Sequence, residues 1–227
     1  MNIFREFINA IYDFSLVVPE DRILLGISGG KDSLTMGFLF SQLQKRQKDR
    51  FVLGAVHVRQ GPPLDPGIYE RFETWGIPLR SVEPPNPKME MAGCYRCASE
   101  RRQILMNWAV EQGYTKIALG HHLDDILTTY LMNLLIHGDA QPMAVQRYYG
   151  VFGLTLIRPL AYVPEESIRR FVERQGWKTI TCSCGRGDRG SRRDFRERLE
   201  NLTQGSLETK RRMLRALWTP RDANQDS

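Results

Sequence analysis

The sequence predicts an α/β fold built on a parallel sheet. Three observations carry that expectation: short apolar runs rich in branched residues, helical periodicity between them, and glycine-marked turns where one pattern replaces the other. Strands alternating with helices imply right-handed crossovers, which place helices on both faces of such a sheet. The chain has 227 residues, 41% hydrophobic, 26% charged and 10% aromatic. That balance suits one large globular domain with modest additions and excludes a disordered, collagen-like or low-complexity chain.

The elements follow in order. Ile3, Phe4, Phe7, Ile8, Ile11 and Tyr12 recur at helical spacing and predict an amphipathic opening helix. Residues 22–27 are a short apolar run ending in Ser28-Gly29-Gly30, after which Leu34, Phe38, Leu39 and Leu43 restore the helical period. Valine-rich residues 51–58 read as a second strand, followed by a loop with Gly61, Pro62, Pro63 and Pro66 and a short helix over 68–75. Residues 79–82 predict a third strand, and the three prolines within 83–93 a surface excursion. A helix over 95–112, a strand at 116–119, a helix over 123–136, a fifth strand at 154–157 and a helix over 165–175 complete the alternation. Residues 134–149 read as a loop. The expected division is 1–181 for the main domain with its N-terminal helix, 182–219 for a cysteine-containing basic helical extension, and 220–227 for a polar tail.

No apolar stretch approaches the ~20 residues of a membrane helix. Arg5, Glu6 and Asp13 interrupt the apolar N-terminus, which argues against a secretory signal. The expectation is a cytoplasmic protein with no membrane partner. Its formal net charge is +6, and ten Arg or Lys against five Asp or Glu between Arg186 and Arg215 supply five of those charges. Such a cluster fits a solvated, salt-bridged helix face or a polyanion contact, where released phosphate counterions add affinity.

Ser28-Gly29-Gly30-Lys31-Asp32-Ser33 lies between a strand and a helix start. Two glycines permit a tight turn and close backbone approach, and the helix start offers unpaired N–H groups and a positive dipole end. The hydroxyls of Ser28 and Ser33 and the Lys31 cation complete a polyphosphate cradle. It is neither a Walker A loop, since Lys31 is followed by Asp32, nor a G-x-G-x-x-G fingerprint. Asp32 beside phosphate implies a bridging magnesium ion. A second cluster, Gly120-His121-His122-Leu123-Asp124-Asp125, follows another apolar strand, at the edge where open parallel sheets bind ligands. Its paired carboxylates suit a metal or a helix cap equally, and its histidines a core position or a ligand.

The four cysteines, Cys94, Cys97, Cys182 and Cys184, form two close pairs. Disulfides are not expected inside cells, so the spacing favours a metal or redox site, with structural zinc and an iron–sulfur cluster both open.

Ser28 to Ser33 after a first strand resembles the PP-loop of ATP pyrophosphatases. Ala10-Ile11-Tyr12-Asp13-Phe14, Cys94-x-x-Cys97, Gly120-His121-His122-Leu123-Asp124-Asp125-Ile126-Leu127-Thr128-Thr129 and Arg158-Pro159-Leu160-Ala161-Tyr162 resemble the tRNA 2-thiocytidine synthetases of that superfamily, over nearly the whole chain. The resemblance implies a PP-loop (adenine nucleotide alpha hydrolase-like) domain that adenylates the C2 carbonyl of cytidine 32 in tRNA and replaces its oxygen with sulfur, using ATP, magnesium and a 4Fe-4S cluster. Lys31, Asp32 and Asp125 become candidate catalytic residues. Ser28, Gly29, Gly30, Ser33, His57, Val58, Gly120, His121 and Asp124 become candidates for holding the nucleotide, with the adenine near His57 and Val58. Cys94, Cys97 and Cys182 become the cluster ligands, with Cys184 an equal candidate for the third place because the later pair is C-x-C rather than the family's C-x-x-C.

A sulfur donor such as a cysteine desulfurase is an implied partner, and a homodimer stays open. Arg96, Arg101, Arg102, Arg192, Arg193 and Arg196 are candidates for RNA phosphate contacts. The competing readings are a PP-loop enzyme thiolating another base or a small molecule with zinc in its cysteine site, and a non-catalytic nucleotide- and RNA-binding module.

Overall fold

The computed structural model describes residues 2–47, 50–59, 63–84, 94–179 and 191–218, apart from the side chains of 94–98 and 191. Cys182, Cys184, much of the 83–93 excursion and the tail from Pro220 lie outside the described residues, as do the side chains of Cys94, Arg96 and Cys97.

Helix α1 (Ile3–Asp13) starts at Asn2, whose side chain accepts from the Phe4 and Arg5 amides, and it buries Phe7, Ala10 and Ile11. The alternation then runs β1 (Arg22–Gly26), α2 (Lys31–Arg46), β2 (Val52–Val58), α3 (Pro66–Thr74), β3 (Leu79–Val82), α4 (Cys94–Glu111), β4 (Lys116–Ala118) and α5 (Leu123–Met132). Strands β5 (Gln146–Tyr149) and β6 (Leu154–Ile157) precede α6 (Glu165–Arg174), α7 (Ser191–Thr203) and α8 (Leu207–Leu217). The sheet order is β3-β2-β1-β4-β6-β5, parallel throughout except for the antiparallel edge strand β5.

Strand β1 shows why its apolar run is continuous rather than alternating. Ile23 and Leu25 enter the larger core with α1, α2 and α5, whereas Leu24 faces the opposite core beneath α4 with Leu105, Met106 and Ala109. Both faces of a parallel strand are covered, so its three central positions are all apolar and buried. The C-terminal helices do not form a core of their own: Phe195, Leu199 and Leu214 join the larger core.

Two differences from the sequence reading stand out. The helix expected over 123–136 changes character at Asn133, where a π-helical turn (Asn133–His137) carries it to Gly138. The expected loop at 134–149 contains β5, so the strand at 154–157 is the sixth, not the fifth. Gln146, Arg147 and Tyr148 are all exposed, so β5 lacks the apolar alternation by which a strand is recognised.

Candidate active site at the sheet's switch point

Strands β2 and β3 lie to one side of β1, and β4, β6 and β5 to the other. The strand order therefore reverses between β1 and β4, and the crevice above their C-terminal ends is the favoured ligand position in such a sheet. The two sequence motifs are the loops that leave these strands. Gly29 adopts φ +80°, a left-handed turn that favours glycine. Ser33 Oγ donates to the Gly30 carbonyl at 3.0 Å, accepts from the Ser28 amide at 3.2 Å and lies 3.1 Å from Ser28 Oγ. The loop is thus folded onto the first turn of α2 before any ligand arrives. Gly120 brings the second loop against it: a Cβ there would sit 3.0 Å from the Ser33 nitrogen and 3.1 Å from the Asp32 carbonyl carbon. Any larger residue would push the motifs apart.

Lys31 stands at the crevice mouth. Its Nζ is 3.0 Å from Asp32 Oδ1 and 2.9 Å from Glu165 Oε1 on α6. Burial works against the Lys31 charge, yet Asp32 and Glu165 outweigh it and hold its pKa above the ordinary lysine value. His122, almost fully buried, has its Nε2 3.3 Å from Asp125 Oδ2 and 3.8 Å from Asp32 Oδ1. Carboxylates from both motifs thus converge on one imidazole edge. Asp125 Oδ2 also accepts from the His122 amide at 3.2 Å, while its Oδ1 receives Arg196 at 3.1 Å and lies 3.7 Å from Arg192. Burial raises the Asp125 pKa, but His122, His121, Arg192 and that amide bond together bring it below the usual carboxylate range.

Asp124 is differently employed. Its Oδ1 lies 2.7 Å from Lys210 Nζ on α8 and its Oδ2 accepts from the Glu165 amide at 2.7 Å, so it braces α5 to α6 and α8. His121 Nδ1 accepts from Arg158 Nε at 3.2 Å. Burial first, then the Arg158 charge, lower the His121 pKa to about 4, so the ring is neutral with its proton on Nε2. At the end of β2, buried His57 donates from Nδ1 to the Ile27 carbonyl at 2.8 Å, and its buried Nε2 has no partner among the described residues. Burial lowers its pKa, Arg101 and Arg59 add to this, and the Ile27 bond opposes it. Val58 is buried beside it.

The cysteine site is approached through the backbone. Cys94 and Cys97 occupy the first turn of α4. The far end of that helix is fixed at the opposite edge of the sheet, where Arg22, the first residue of β1, donates to the Gly113 carbonyl at 2.8 Å. Eighteen residues of helix span ~27 Å, whereas the five residues of β1 span ~16 Å. Arg101 of α4 acts electrostatically on His57 at the end of β2, so α4 begins on the side of the sheet where the strands end.

Glu165, Arg158 and Lys210 were not singled out as site residues in the sequence, and Arg192 and Arg196 were expected on an RNA-facing surface rather than over Asp125. Among the described residues, no three His, Cys, Asp or Glu side chains already form a metal-binding group. No helix among them is long and apolar enough to cross a membrane.

A PP-loop domain family matches residues 74–202. The tRNA-cytidine(32) 2-sulfurtransferase of Anaeromyxobacter dehalogenans is 34% identical over 218 residues, 92% of this chain and 75% of that one. The chain belongs to the PP-loop family of the tRNA-cytidine(32) 2-sulfurtransferases. The enzyme of that name from Alkalilimnicola ehrlichii is 37% identical over 190 residues, covering 78% of this chain but only 60% of its own length. Among solved structures, the U34-tRNA thiolase NcsA from Methanococcus maripaludis, with its 4Fe-4S cluster, superposes with TM-score 0.77 at 23% identity, covering 95% of this chain and 77% of that one. That likeness supports the PP-loop fold.

Proposed function

We propose that this family member is an ATP-dependent tRNA sulfurtransferase that adenylates the C2 carbonyl oxygen of cytidine 32 and exchanges that oxygen for sulfur. The observation that carries the reading is the meeting of two motif loops in one crevice, with Gly120 pressed against the α2 start and Lys31 at the mouth. A carbonyl oxygen is a poor leaving group. It attacks the α-phosphorus of ATP, pyrophosphate departs, sulfide adds at the carbon, and AMP leaves. Lys31 and the amides at the start of α2 stabilise charge on the departing pyrophosphate. When triphosphate enters, Lys31 exchanges Glu165 and Asp32 for phosphate oxygens. The His57 Nε2, without a partner among the described residues, offers an acceptor where the adenine amino group is expected.

Asp32 and Asp125, whose carboxylates both approach the same His122 nitrogen, would hold magnesium, a cation that takes one or two carboxylates alongside substrate phosphates and neutralises their charge. Cys94 and Cys97, with Cys182 or Cys184, supply soft thiolates suited to a 4Fe-4S cluster, which would present sulfur at the crevice edge. Asp124, tied to Lys210 and the Glu165 amide, holds the helices that frame the site. A cysteine desulfurase is the proposed upstream sulfur source.

The test is mass spectrometry of tRNA nucleosides from cells with and without the gene. Loss of 2-thiocytidine on deletion, restored by the wild type but not by Lys31→Ala, is the expected result. Unaltered 2-thiocytidine overturns the assignment.

A further inference from the structure

Strand β5 closes one side of the sheet and, among the described residues, no strand pairs with its outer side. Exposed edges of this kind are usually short and charged, which blocks pairing with other chains. This one is more specialised. Arg147 is exposed and Tyr148 retains 67% of its accessible surface. The Arg147 guanidinium lies 5.2 Å from the centre of the Tyr149 ring, a cation–aromatic pair formed in advance. Arg147 sits opposite Leu156 and Tyr149 opposite Leu154, and both leucines belong to the core under α4. Arg147 and Tyr149 therefore face the α4 side of the sheet, and Tyr148 faces the other.

The start of β5 is fastened to the nucleotide crevice. Arg158 donates through its side chain to His121 Nδ1 at 3.2 Å and to the Ala144 carbonyl, and through its backbone to the Val145 carbonyl at 2.8 Å. A chain lying along β5 thus has one end beside His121. Positive charge accompanies this path: Arg102, exposed on α4, and Arg147 both act on Arg158, whose pKa falls to about 10 chiefly through burial, with Tyr149 opposing.

We propose that β5 is a docking strip for single-stranded RNA, with Tyr148 stacking on an unpaired base and Arg147 neutralising a neighbouring phosphate. The proposal rests on RNA being the substrate, as argued above. Unstacked loop bases are recognised on tyrosine faces and guanidinium planes, and a base to be modified must leave its stack. A second copy of the chain is a poorer occupant, because each carries a net charge of +6 and a cationic strand repels its like.

The test uses the full chain and a fluorescein-labelled anticodon stem–loop RNA containing cytidine 32, with anisotropy measured across a salt series. Tyr148→Ala is expected to weaken RNA binding roughly 5- to 160-fold, the range for loss of one stacked base. Arg147→Gln is expected to lower the salt slope by about 0.7, one phosphate contact on a single strand. ATP affinity and melting temperature stay at wild-type values in both variants. Wild-type RNA binding with unchanged affinity and slope in the variants overturns the strip while leaving the sulfurtransferase reading intact. Failure of the wild type to bind this RNA or total tRNA removes both. Unchanged RNA binding with dissociation of a dimer in sedimentation assigns β5 to a second copy and overturns the proposal.

Discussion

Two lysines at opposite edges of the same sheet make the same kind of ion pair to different ends. Lys116, at the N-terminal edge, is 2.8 Å from Asp21 and 3.1 Å from the Leu16 carbonyl, with side-chain exposures of 11% for the lysine and 7% for the aspartate. Lys31, at the C-terminal edge, faces Asp32 and Glu165, and all three side chains are 28–30% exposed. The first lysine is sealed with its partners. The second holds partners that an incoming anion can replace, and it does so where helix N–H groups also point outward. Burial, more than the pairing itself, separates a structural cation from one available for chemistry.

Breaking each pair should separate the two roles. Lys116→Ala strands the Asp21 charge in the interior, and denaturant unfolding should show a loss of about 3–5 kcal/mol. A loss below about 1 kcal/mol would show that the pair is effectively solvated. Lys31→Ala should leave unfolding nearly unchanged while lowering AMP formation by roughly 10²–10³-fold, the usual effect of removing one group that stabilises transition-state charge. Equal damage to stability would erase the contrast. Glu165→Gln sharpens it further. Removing the competing carboxylate should lower the KM for ATP by about 2- to 5-fold, since a partly exposed ion pair contributes at most ~1 kcal/mol. A raised KM would make Glu165 part of the nucleotide's own binding set.

The two motif loops were legible in the sequence because each is continuous: a strand end, a glycine turn and a helix start within a few residues. Their meeting was inferable only from the sheet edge they share. What stayed hidden is the long-range pairing. Asp125 and Arg196 are 71 residues apart and Asp124 and Lys210 are 86 apart, and no local pattern links them. The basic C-terminal segment was read by its charge as an outward face, yet Phe195 and Leu199 turn α7 so that Arg192 and Arg196 lie over Asp125. Strand β5 escaped because its residues are polar or exposed. The cysteine pattern is visible in sequence, and the run of α4 adds that Cys94 and Cys97 begin a helix on the side of the sheet where the strands end.

A pH-dependent contrast lies at His121. Its folded pKa of about 4 lies below the ordinary histidine value of 6.5, so over that interval the unfolded chain binds a proton that the folded chain excludes. Stability must therefore fall as pH drops from 6.5 towards 4 and be fully present above 6.5. Arg158, bonded to Nδ1, and Arg192 oppose the added charge, and Asp125 offsets only part of it. Urea unfolding at pH 7 and pH 5 should show the decline in the wild type and a shallower one in His121→Gln, which keeps an acceptor for Arg158 but cannot titrate. Identical declines in the two proteins would move the acid sensitivity to another group and leave His121 a spacer between the crevice and β5.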